Sequence, residues 1–471
     1  MTTLIANGTI VTDKESYKAH LIIDGEKISK IIKFSEEEEL SSLKSKYNCE
    51  DAIDAKGKYI FPGFIDTHTH FDMFTGSAQT ADDFYSGTKA ALVGGTTTIM
   101  NFASHHKGET LEHALDDFFR KADGKSSCDY AFHLELAEWN DKIKAEIDDM
   151  FARGVTSFKM YMAYPAIKVS DGELYNALKY IHSKGGIIGV HCENGDLADA
   201  LAAELLENGK VLPSSHPLAR NSVVEAEAIS RLLRIAKMAD VPVNIVHLSS
   251  KEGLEEIRNA RKNGTKCFVE SCPQYFTLDD SRFSDPADDG KAGAKYILAP
   301  PLRKQEDINK LWEALGGDEI QTIGTDHCSF TYKGLKDQFM DNFTKIPGGI
   351  PGAEHRVEIM YTKGVCEGKI TLNQMVKYLS TNPAKLFGMY PQKGAIELGS
   401  EADIVIWDKS YVGKISAENQ LHNVDYTPYE GMEIKGRPSD VYLHGQHVVS
   451  CAKVVKELEG RFVKRGKSGN L

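Results

Sequence analysis

The stretch YIFPGFIDTHTHFDM, residues 59–73, is an apolar run with the pattern of a buried strand, and two histidines lie near its end. Successive side chains of a strand point to opposite faces, so His68 and His70, two positions apart, project to the same side. Two imidazoles on one face can bind the same divalent metal ion. This stretch therefore predicts a strand that carries one half of a metal site.

Seven further runs of this β type follow along the chain, and they alternate with segments of helical periodicity. The seven runs are residues 96–102, 129–136, 157–163, 186–193, 241–249, 266–273 and 322–329. Intervening segments such as 174–185 and 223–239 place apolar residues every three to four positions, as in helices that cover a parallel barrel. The count of eight predicts an α/β protein with a (β/α)8, TIM-like barrel.

The two ends of the chain have a different pattern, with short β runs separated by turn residues. Residues 2–33 contain Asn-Gly and Asp-Gly pairs, which are hairpin signals, and the chain returns to strand pattern after residue 394. We therefore expect a small β domain assembled from both ends around an inserted barrel. The expected boundaries are 1–57 and 391–471 for the β domain and 58–390 for the barrel.

Four other runs also contain a residue that can bind a metal ion, namely Lys159, His191, His247 and Asp326. Each lies toward the C-terminal end of its run, which is the face where such barrels carry their chemistry. Imidazole nitrogens and carboxylate oxygens suit zinc and its neighbours, and a catalytic ion keeps one coordination position open for water. Together with the histidine pair, these residues predict a metallohydrolase.

Lys159 is the unusual member of this set, because it lies among residues that a barrel would bury. An ammonium without a partner is unfavourable there, and burial lowers its pKa. A neutral lysine amine can add carbon dioxide to give a carbamate, whose two oxygens could bridge two metal ions. The alternative is a lysine that extends along the barrel mouth to water.

Composition argues against several other classes of protein. The formal net charge is -12, and basic residues are concentrated only in RFVKRGK, residues 461–467, which we expect to be solvated or in contact with another subunit. We therefore expect neither a nucleic-acid nor a membrane partner. The chain has no long apolar run and no signal-like start, and its eight cysteines show no CxxC spacing, so we expect a cytoplasmic enzyme with reduced thiols.

The motifs themselves resemble those of one family, the cyclic amidohydrolases of the dihydropyrimidinase and D-hydantoinase type. The similarity covers essentially the whole chain and includes GFIDTHTHFDM, SFKMYMAY, GVHCEN, IVHLSS, ESCPQYF, IGTDHCSF, KIPGGIPG, LSTNPAKLFG and GSEADIVIWD. The resemblance implies a (β/α)8 barrel with a small β-sandwich domain built from both chain ends. It also implies a homotetramer or a dimer.

The resemblance further implies a site with two divalent ions, zinc being the expected metal. One ion would be held by His68, His70 and Asp326, the other by His191 and His247, and Lys159 would bridge them as N6-carboxylysine. A hydroxide between the ions would be the nucleophile, and Asp326 would take and deliver the proton. Tyr164 matches the tyrosine that stabilises the oxyanion, whereas His327, next to Asp326, is expected to be structural.

The implied reaction is hydrolysis of the cyclic amide bond of hydantoins or 5,6-dihydropyrimidines to N-carbamoyl amino acids. Members of this family recognise these small cyclic ureides largely through main-chain groups. Ala299 and Gly348 occupy two substrate-contact positions where the family often has serine and asparagine. Both replacements keep the backbone groups but change the expected shape of the loops.

Three alternatives remain to be weighed against this hypothesis. Dihydroorotase usually has an arginine at the position of Asp72, and an aspartate there would repel the substrate carboxylate. Allantoinase shares the metal-ligand set and acts on a substituted hydantoin, so it stays open. The collapsin response mediator proteins use the same fold as non-enzymatic scaffolds, but they have lost metal ligands that are all present here.

Overall fold

The structure is a computed structural model, and it describes residues 1–284 and 290–471. The first part of the chain forms five strands and one helix. These are β1 (Thr2–Val11), β2 (Ser16–Asp24), β3 (Lys27–Lys33), α1 (Leu40–Tyr47), β4 (Asp51–Asp54) and β5 (Tyr59–Pro62). Strands β1, β2 and β3 are antiparallel neighbours, and β4 and β5 both pair with β1 in parallel. The expected β-rich start is confirmed.

The eight runs identified in the sequence form eight parallel strands, paired in chain order. They are β6 (Phe64–Thr69), β7 (Thr96–Ala103), β8 (Asp129–Glu135), β9 (Ser157–Tyr161), β10 (Ile187–His191), β11 (Val243–Ile245), β12 (Cys267–Ser271) and β13 (Thr322–Ile323). A parallel bridge between Thr69 and His327 brings the first strand to the segment that follows the last. The predicted (β/α)8 barrel is confirmed.

Helices occupy the connections between these strands and the segment that follows β13. They are α2 (Phe84–Val93), α3 (Leu111–Ala122), α4 (Asp141–Ala152), α5 (Asp171–Ser183), α6 (Gly195–Glu207), α7 (His216–Ala219), α8 (Ser222–Ala239), α9 (Lys251–Lys262), α10 (Gln274–Thr277), α11 (Gln305–Gly316), α12 (Arg356–Ile359), α13 (Leu372–Val376) and α14 (Asn382–Leu386). Of the helices in the described ranges, none combines the length and apolar character needed to cross a membrane.

Helix α5 illustrates how the sequence determines one of these elements. Ser170 and Glu173 form a reciprocal capping box that satisfies free N–H groups at the start of the helix. Leu174, Leu178 and Ile181, at helical spacing, are buried against the barrel. The helical periodicity predicted for residues 174–185 is therefore confirmed.

The buried side chain of Arg356 holds the first and last barrel strands together. Its Nη1 donates to the carbonyl oxygens of Ile65 in β6 and Ile323 in β13, each at 2.9 Å. A bare cation in this position would be unfavourable, and the carboxylate of Asp66 lies 3.8 Å from its Nε. Strand β13 has only two residues and forms few backbone hydrogen bonds with its neighbour. Arg356 thus adds side-chain hydrogen bonds to the carbonyl groups of the first and last strands.

The C-terminal part of the chain completes the sheet that β1 begins. Its strands are β14 (Ile404–Lys414), β15 (Glu433–Leu443), β16 (Gln446–Ser450) and β17 (Lys453–Val454). Strand β14 pairs antiparallel with β5, so the two chain ends form one sheet as expected. The chain passes from this sheet to the barrel at Gly63, between β5 and β6. The domain limits 1–57, 58–390 and 391–471 stay predictions.

A buried ion cluster joins this terminal sheet to the barrel. Lys393 Nζ lies 2.5 Å from Asp129 Oδ2 in β8, 2.7 Å from Glu401 Oε2 and 2.6 Å from Asp403 Oδ2. Burial opposes a charged lysine, but the three carboxylates raise the pKa of Lys393 well above its usual value. Lys393 is thus a buried cation with a purely structural explanation.

The expectation of a solvated basic end is wrong for Arg465. Its Nη1 donates to Ser157 Oγ at 2.6 Å, at the start of β9, and its side chain is buried. Val463 donates its N–H to the carbonyl oxygen of Tyr130, while Lys464 between them is exposed. The segment alternates like a strand along the N-terminal end of the barrel, which composition alone could not indicate.

Candidate metal centre

The six candidate ligands lie at the C-terminal ends of five barrel strands. His68, Lys159 and His191 belong to β6, β9 and β10, and His70, His247 and Asp326 follow β6, β11 and β13 within three residues. Five of the side chains are buried, and that of Asp326 is 13 % exposed. All six are therefore at the end of the barrel predicted from the sequence.

The first group consists of His68, His70 and Asp326. Asp326 Oδ1 lies 3.1 Å from His68 Nε2 and 3.3 Å from His70 Nε2, although the three residues come from opposite ends of the barrel sequence. His68 Nε2 is buried and makes no well-aligned hydrogen bond within the described ranges. A carboxylate oxygen and two imidazole nitrogens that converge in this way fit a divalent cation such as zinc.

The second group is the histidine pair His191 and His247. His191 Nδ1 and His247 Nε2 are 3.0 Å apart. The ring centroid of His247 is also 5.5 Å from that of His68, so the two groups are adjacent. Burial, followed by the charges of His191 and Lys159, holds the pKa of His247 well below its usual value. A neutral imidazole is the form that binds metal.

Lys159 lies close to both groups. Its side chain is 1 % exposed, its Nζ is 4.6 Å from the ring centroid of Phe102, and no carboxylate within the described ranges forms an ion pair with it. Burial lowers the pKa of Lys159, and nearby Asp326 acts in the opposite direction. The side chain does not extend to water, so the alternative interpretation of Lys159 is wrong.

Two carboxylates that the sequence analysis missed accept hydrogen bonds from ring nitrogens of the candidate ligands His68 and His191. His68 Nδ1 donates to Glu270 Oε1 at 2.6 Å, and His191 Nε2 donates to Glu193 Oε2 at 2.8 Å. Each bond places the proton on the far ring nitrogen and leaves the other nitrogen free to bind metal. Arg220 Nη1 lies 2.5 Å from Glu193 Oε2 and holds that carboxylate in turn.

Tyr164 lies beside the second group. Its ring centroid is 5.1 Å from that of His191, and the guanidinium of Arg220 lies 5.1 Å from the Tyr164 ring. Tyr164, His247 and Asp326 all have positive φ, at 65°, 41° and 55°. Such backbone is unfavourable for residues other than glycine and concentrates at functional sites. Tyr164 thus has the same unfavourable backbone conformation as two of the candidate ligands.

The segments that carry Ala299 and Gly348 meet near this end of the barrel. The N–H of Gly349 donates to the carbonyl oxygen of Ile297 at 2.9 Å. Cys328, two residues after Asp326, places its Sγ 3.9 Å from the carbonyl oxygen of Gly348. Gly348 is exposed and Ala299 is half-buried.

Two neighbouring residues have structural roles. His327 Nε2 donates to Asp82 Oδ2 at 3.1 Å and its Nδ1 accepts the N–H of Gly352, in agreement with the structural role expected. Asp72 Oδ2 accepts the N–H of Phe84, at the start of helix α2. The Asp72 carboxylate is thus engaged at a helix terminus, and the argument against dihydroorotate rests on the absent arginine rather than on repulsion.

Two other groups of ionisable side chains come together elsewhere in the described ranges. They are Glu354 with His355 and His422, and Asp129 with Glu401 and His444. In the second, the ammonium of Lys393 already lies against the carboxylates. In the first, His422 Nε2 accepts the N–H of Glu354. Hydrogen bonds and an ion pair account for both groups.

Comparison with known proteins agrees with this geometry. The family model described as "Amidohydrolase family" matches residues 59–448. The D-hydantoinase of Geobacillus stearothermophilus is 43% identical over 474 residues, covering 100% of this chain and 98% of that protein. That of Ralstonia pickettii is 39% identical, covering 99% of each. The crystal structure of dihydropyrimidinase from Brevibacillus agri superposes with a TM-score of 0.95 at 40% identity, covering 100% of both chains.

The chain therefore belongs to the amidohydrolase family. Within that family it is a member of the dihydropyrimidinase and D-hydantoinase group, and it is an enzyme, a hydrolase acting on cyclic amides. Glu193 could have been found from the sequence, since it lies two positions after His191, the spacing at which side chains of an extended chain point the same way. No comparable signal pointed to Arg220.

We expect Glu270→Gln to weaken metal binding at the first group. The amide cannot hold the Nδ1 proton of His68 as a carboxylate does, and loss of such a partner typically lowers metal affinity by about 10-fold to 100-fold. Metal content after dialysis against a weak chelator measures the effect. Glu207→Gln, on the exposed end of α6, is the control. Equal metal retention in the two variants would show that Glu270 does not support the ligand.

Proposed function

We propose that this enzyme hydrolyses the cyclic amide bond of hydantoins or 5,6-dihydropyrimidines to N-carbamoyl amino acids, and that it requires two divalent metal ions. The observation that carries the proposal is that two groups of potential ligand atoms lie next to each other at one end of the barrel, where Lys159 is also buried. The names of the similar proteins, D-hydantoinase and dihydropyrimidinase, support the substrate class.

In this proposal the two groups hold one ion each, zinc being the metal that suits the donors. The ligands are His68, His70 and Asp326 for one ion and His191 and His247 for the other, with Lys159 as N6-carboxylysine between them. Such ions, when bound, lower the pKa of a shared water and polarise the carbonyl to be attacked. We further propose that the enzyme is a homotetramer or a dimer.

Electrostatics favours modification of Lys159. As an ammonium it lowers the pKa values of His191 and His247, and no carboxylate within the described ranges forms an ion pair with it. Reaction of the neutral amine with carbon dioxide forms a nitrogen–carbon bond and releases one proton. The product is an anion with two oxygens in place of an unpaired cation, so it attracts cations instead of repelling them.

Asp326 and Tyr164 have complementary roles in the proposed reaction. Asp326 takes the proton of the attacking water and delivers it to the ring nitrogen as the amide bond breaks. Burial raises the pKa of Tyr164, so its hydroxyl keeps its proton and can donate to the carbonyl oxygen as negative charge develops. Main-chain groups around Ala299 and Gly348 hold the ureide.

A substrate panel tests the proposed class. Neutral cyclic ureides should be turned over much faster than dihydroorotate, because the position where dihydroorotase has an arginine is occupied by Asp72 and gives no cation for a carboxylate. The measurement is kcat/KM for hydantoin, 5-substituted hydantoins, dihydrouracil, dihydrothymine, allantoin and dihydroorotate. Allantoin as the best substrate would indicate allantoinase, and dihydroorotate as the best would refute the proposal.

Lys159→Ala should lose at least one metal ion per chain and nearly all activity. The barrel strands are held by backbone pairing and apolar packing, so the circular dichroism spectrum and melting temperature should change little. Added short carboxylates should restore part of the activity by occupying the space between the ions. Lys184→Ala, a surface lysine paired with Asp148, is the matched control. Two retained ions with normal turnover in Lys159→Ala would exclude the bridging role.

Tyr164→Phe should lower kcat with a much smaller change in KM. Loss of one oxyanion donor typically lowers turnover by about 100-fold to 1000-fold, while the ring and its packing against His191 remain. Metal content should be unchanged. Tyr175→Phe, in helix α5, provides the comparison. A metal-replete Tyr164→Phe enzyme with wild-type kcat would assign Tyr164 to packing alone.

A further inference from the structure

Lys336 is a third buried lysine, besides Lys159 and Lys393, and the proposed reaction does not use it. It begins a short turn, Lys336–Phe339, and its side chain is 0 % exposed. Unlike Lys393, it forms no ion pair with a carboxylate within residues 1–284 and 290–471. Its Nζ instead donates to three main-chain carbonyl oxygens, those of Gly349 at 2.7 Å, Ile297 at 3.1 Å and Ala294 at 3.3 Å.

These three carbonyl groups belong to the two segments that carry the expected substrate contacts. Ala294 and Ile297 lie just before Ala299, and Gly349 directly follows Gly348. A main-chain hydrogen bond from the N–H of Gly349 to the carbonyl oxygen of Ile297 also joins the two segments. Lys336 therefore links the end of the helical turn Lys291–Tyr296 to the segment of Gly348, and within the described residues no strand pairing joins the two.

A lysine in this position needs a specific explanation. Burial of an ammonium without a carboxylate is unfavourable, and an apolar side chain would fill the same volume without that penalty. Two of these carbonyl oxygens also accept a main-chain N–H, Ala294 from Ile297 and Ile297 from Gly349, but a carbonyl oxygen has a second lone pair for another donor. An ammonium offers three N–H groups at once, which matches the three carbonyl oxygens, whereas a neutral amine offers two.

We propose that Lys336 is a positioning residue that fixes the spacing between the segments bearing Ala299 and Gly348, and so the width of the site that holds the cyclic ureide. This inference rests on the proposed function, because it assumes that these segments contact the substrate. Lys336 itself does not touch the reacting atoms.

The surroundings of Lys336 make this role sensitive to pH. The groups that face it are the Cys328 thiol and the ring of Tyr426, whose centroid is 5.9 Å from Nζ. Lys295 lies over the ring of Tyr332, and Asp425 accepts the backbone N–H of Tyr332. Burial lowers the pKa of Lys336 to about 7, against a smaller opposing effect of Cys328.

The direction of the effect follows from that lowered pKa. Below about pH 7 the ammonium donates all three hydrogen bonds. As pH rises through this value the amine becomes neutral, one donor is lost and the two segments are held less firmly. KM for the ureide should therefore increase as the pH is raised above neutrality, and part of this increase should come from the loss of the proton of Lys336.

The test compares Lys336→Met with Lys295→Met in the metal-replete enzyme. Methionine is unbranched, is one atom shorter than lysine and has no donors, and Lys295 is a partly exposed lysine next to Ala294. Lys336→Met should raise KM for hydantoin by about tenfold or more, since small misplacement of binding groups has effects of this size. Its kcat and metal content should stay within about threefold of wild type, and Lys295→Met should match wild type.

Lys336→Arg provides a second variant that keeps its charge throughout the pH range. The KM of Lys336→Arg should change less with pH near neutrality than that of the wild type. The increase of KM above neutral pH that Lys336 causes should also be absent from Lys336→Met. If Lys336→Met does not fold, the pH dependence of KM in Lys336→Arg tests the inference by itself.

Two results would overturn the inference: an unchanged KM in Lys336→Met, with or without a loss of stability or metal, or a wild-type pH profile in Lys336→Arg. A wild-type enzyme that turns over no cyclic ureide would instead refute the proposed function.

Discussion

Closure of the barrel is the constraint on which the candidate metal centre depends. His68 lies in the first strand and Asp326 follows the last, so their 3.1 Å approach exists only because β6 and β13 come together. The Thr69–His327 bridge and the buried side chain of Arg356 make that closure. Parallel strands present their C-terminal ends to one side, so residues spread over 259 positions converge without any local motif.

Charged side chains orient the two histidine groups at this end of the barrel. Glu270 and Glu193 orient the outer ring nitrogens of His68 and His191, while the inner nitrogens face the barrel mouth. The region thus contains oriented imidazoles, the carboxylate of Asp326 and one buried lysine. Positive φ at His247 and Asp326 shows that the backbone is strained to place these side chains. Buried nitrogen and oxygen atoms oriented in this way favour the binding of cations.

Most of the fold could be predicted from the sequence, because the strand runs and the helical segments between them carry strong periodic patterns. The ligand positions followed from residues such as His191 and Asp326 at the ends of those runs. Contacts between distant segments could not be predicted. The three carbonyl partners of Lys336 and the burial of Arg465 against Ser157 depend on irregular backbone that no periodicity encodes. The role of Asp72 was inferred from its charge, whereas its hydrogen bond to Phe84 depends on the path of a loop.

The central claim is that catalysis requires two metal ions held at this end of the barrel. The most direct test is to remove the metal with a chelator, add zinc back in measured equivalents and follow the hydrolysis of hydantoin or dihydrouracil. We expect no activity without metal and a rise that reaches its maximum at about two equivalents per chain, as a two-metal site requires. Full activity in the metal-free protein, or a maximum at one equivalent, would contradict the account.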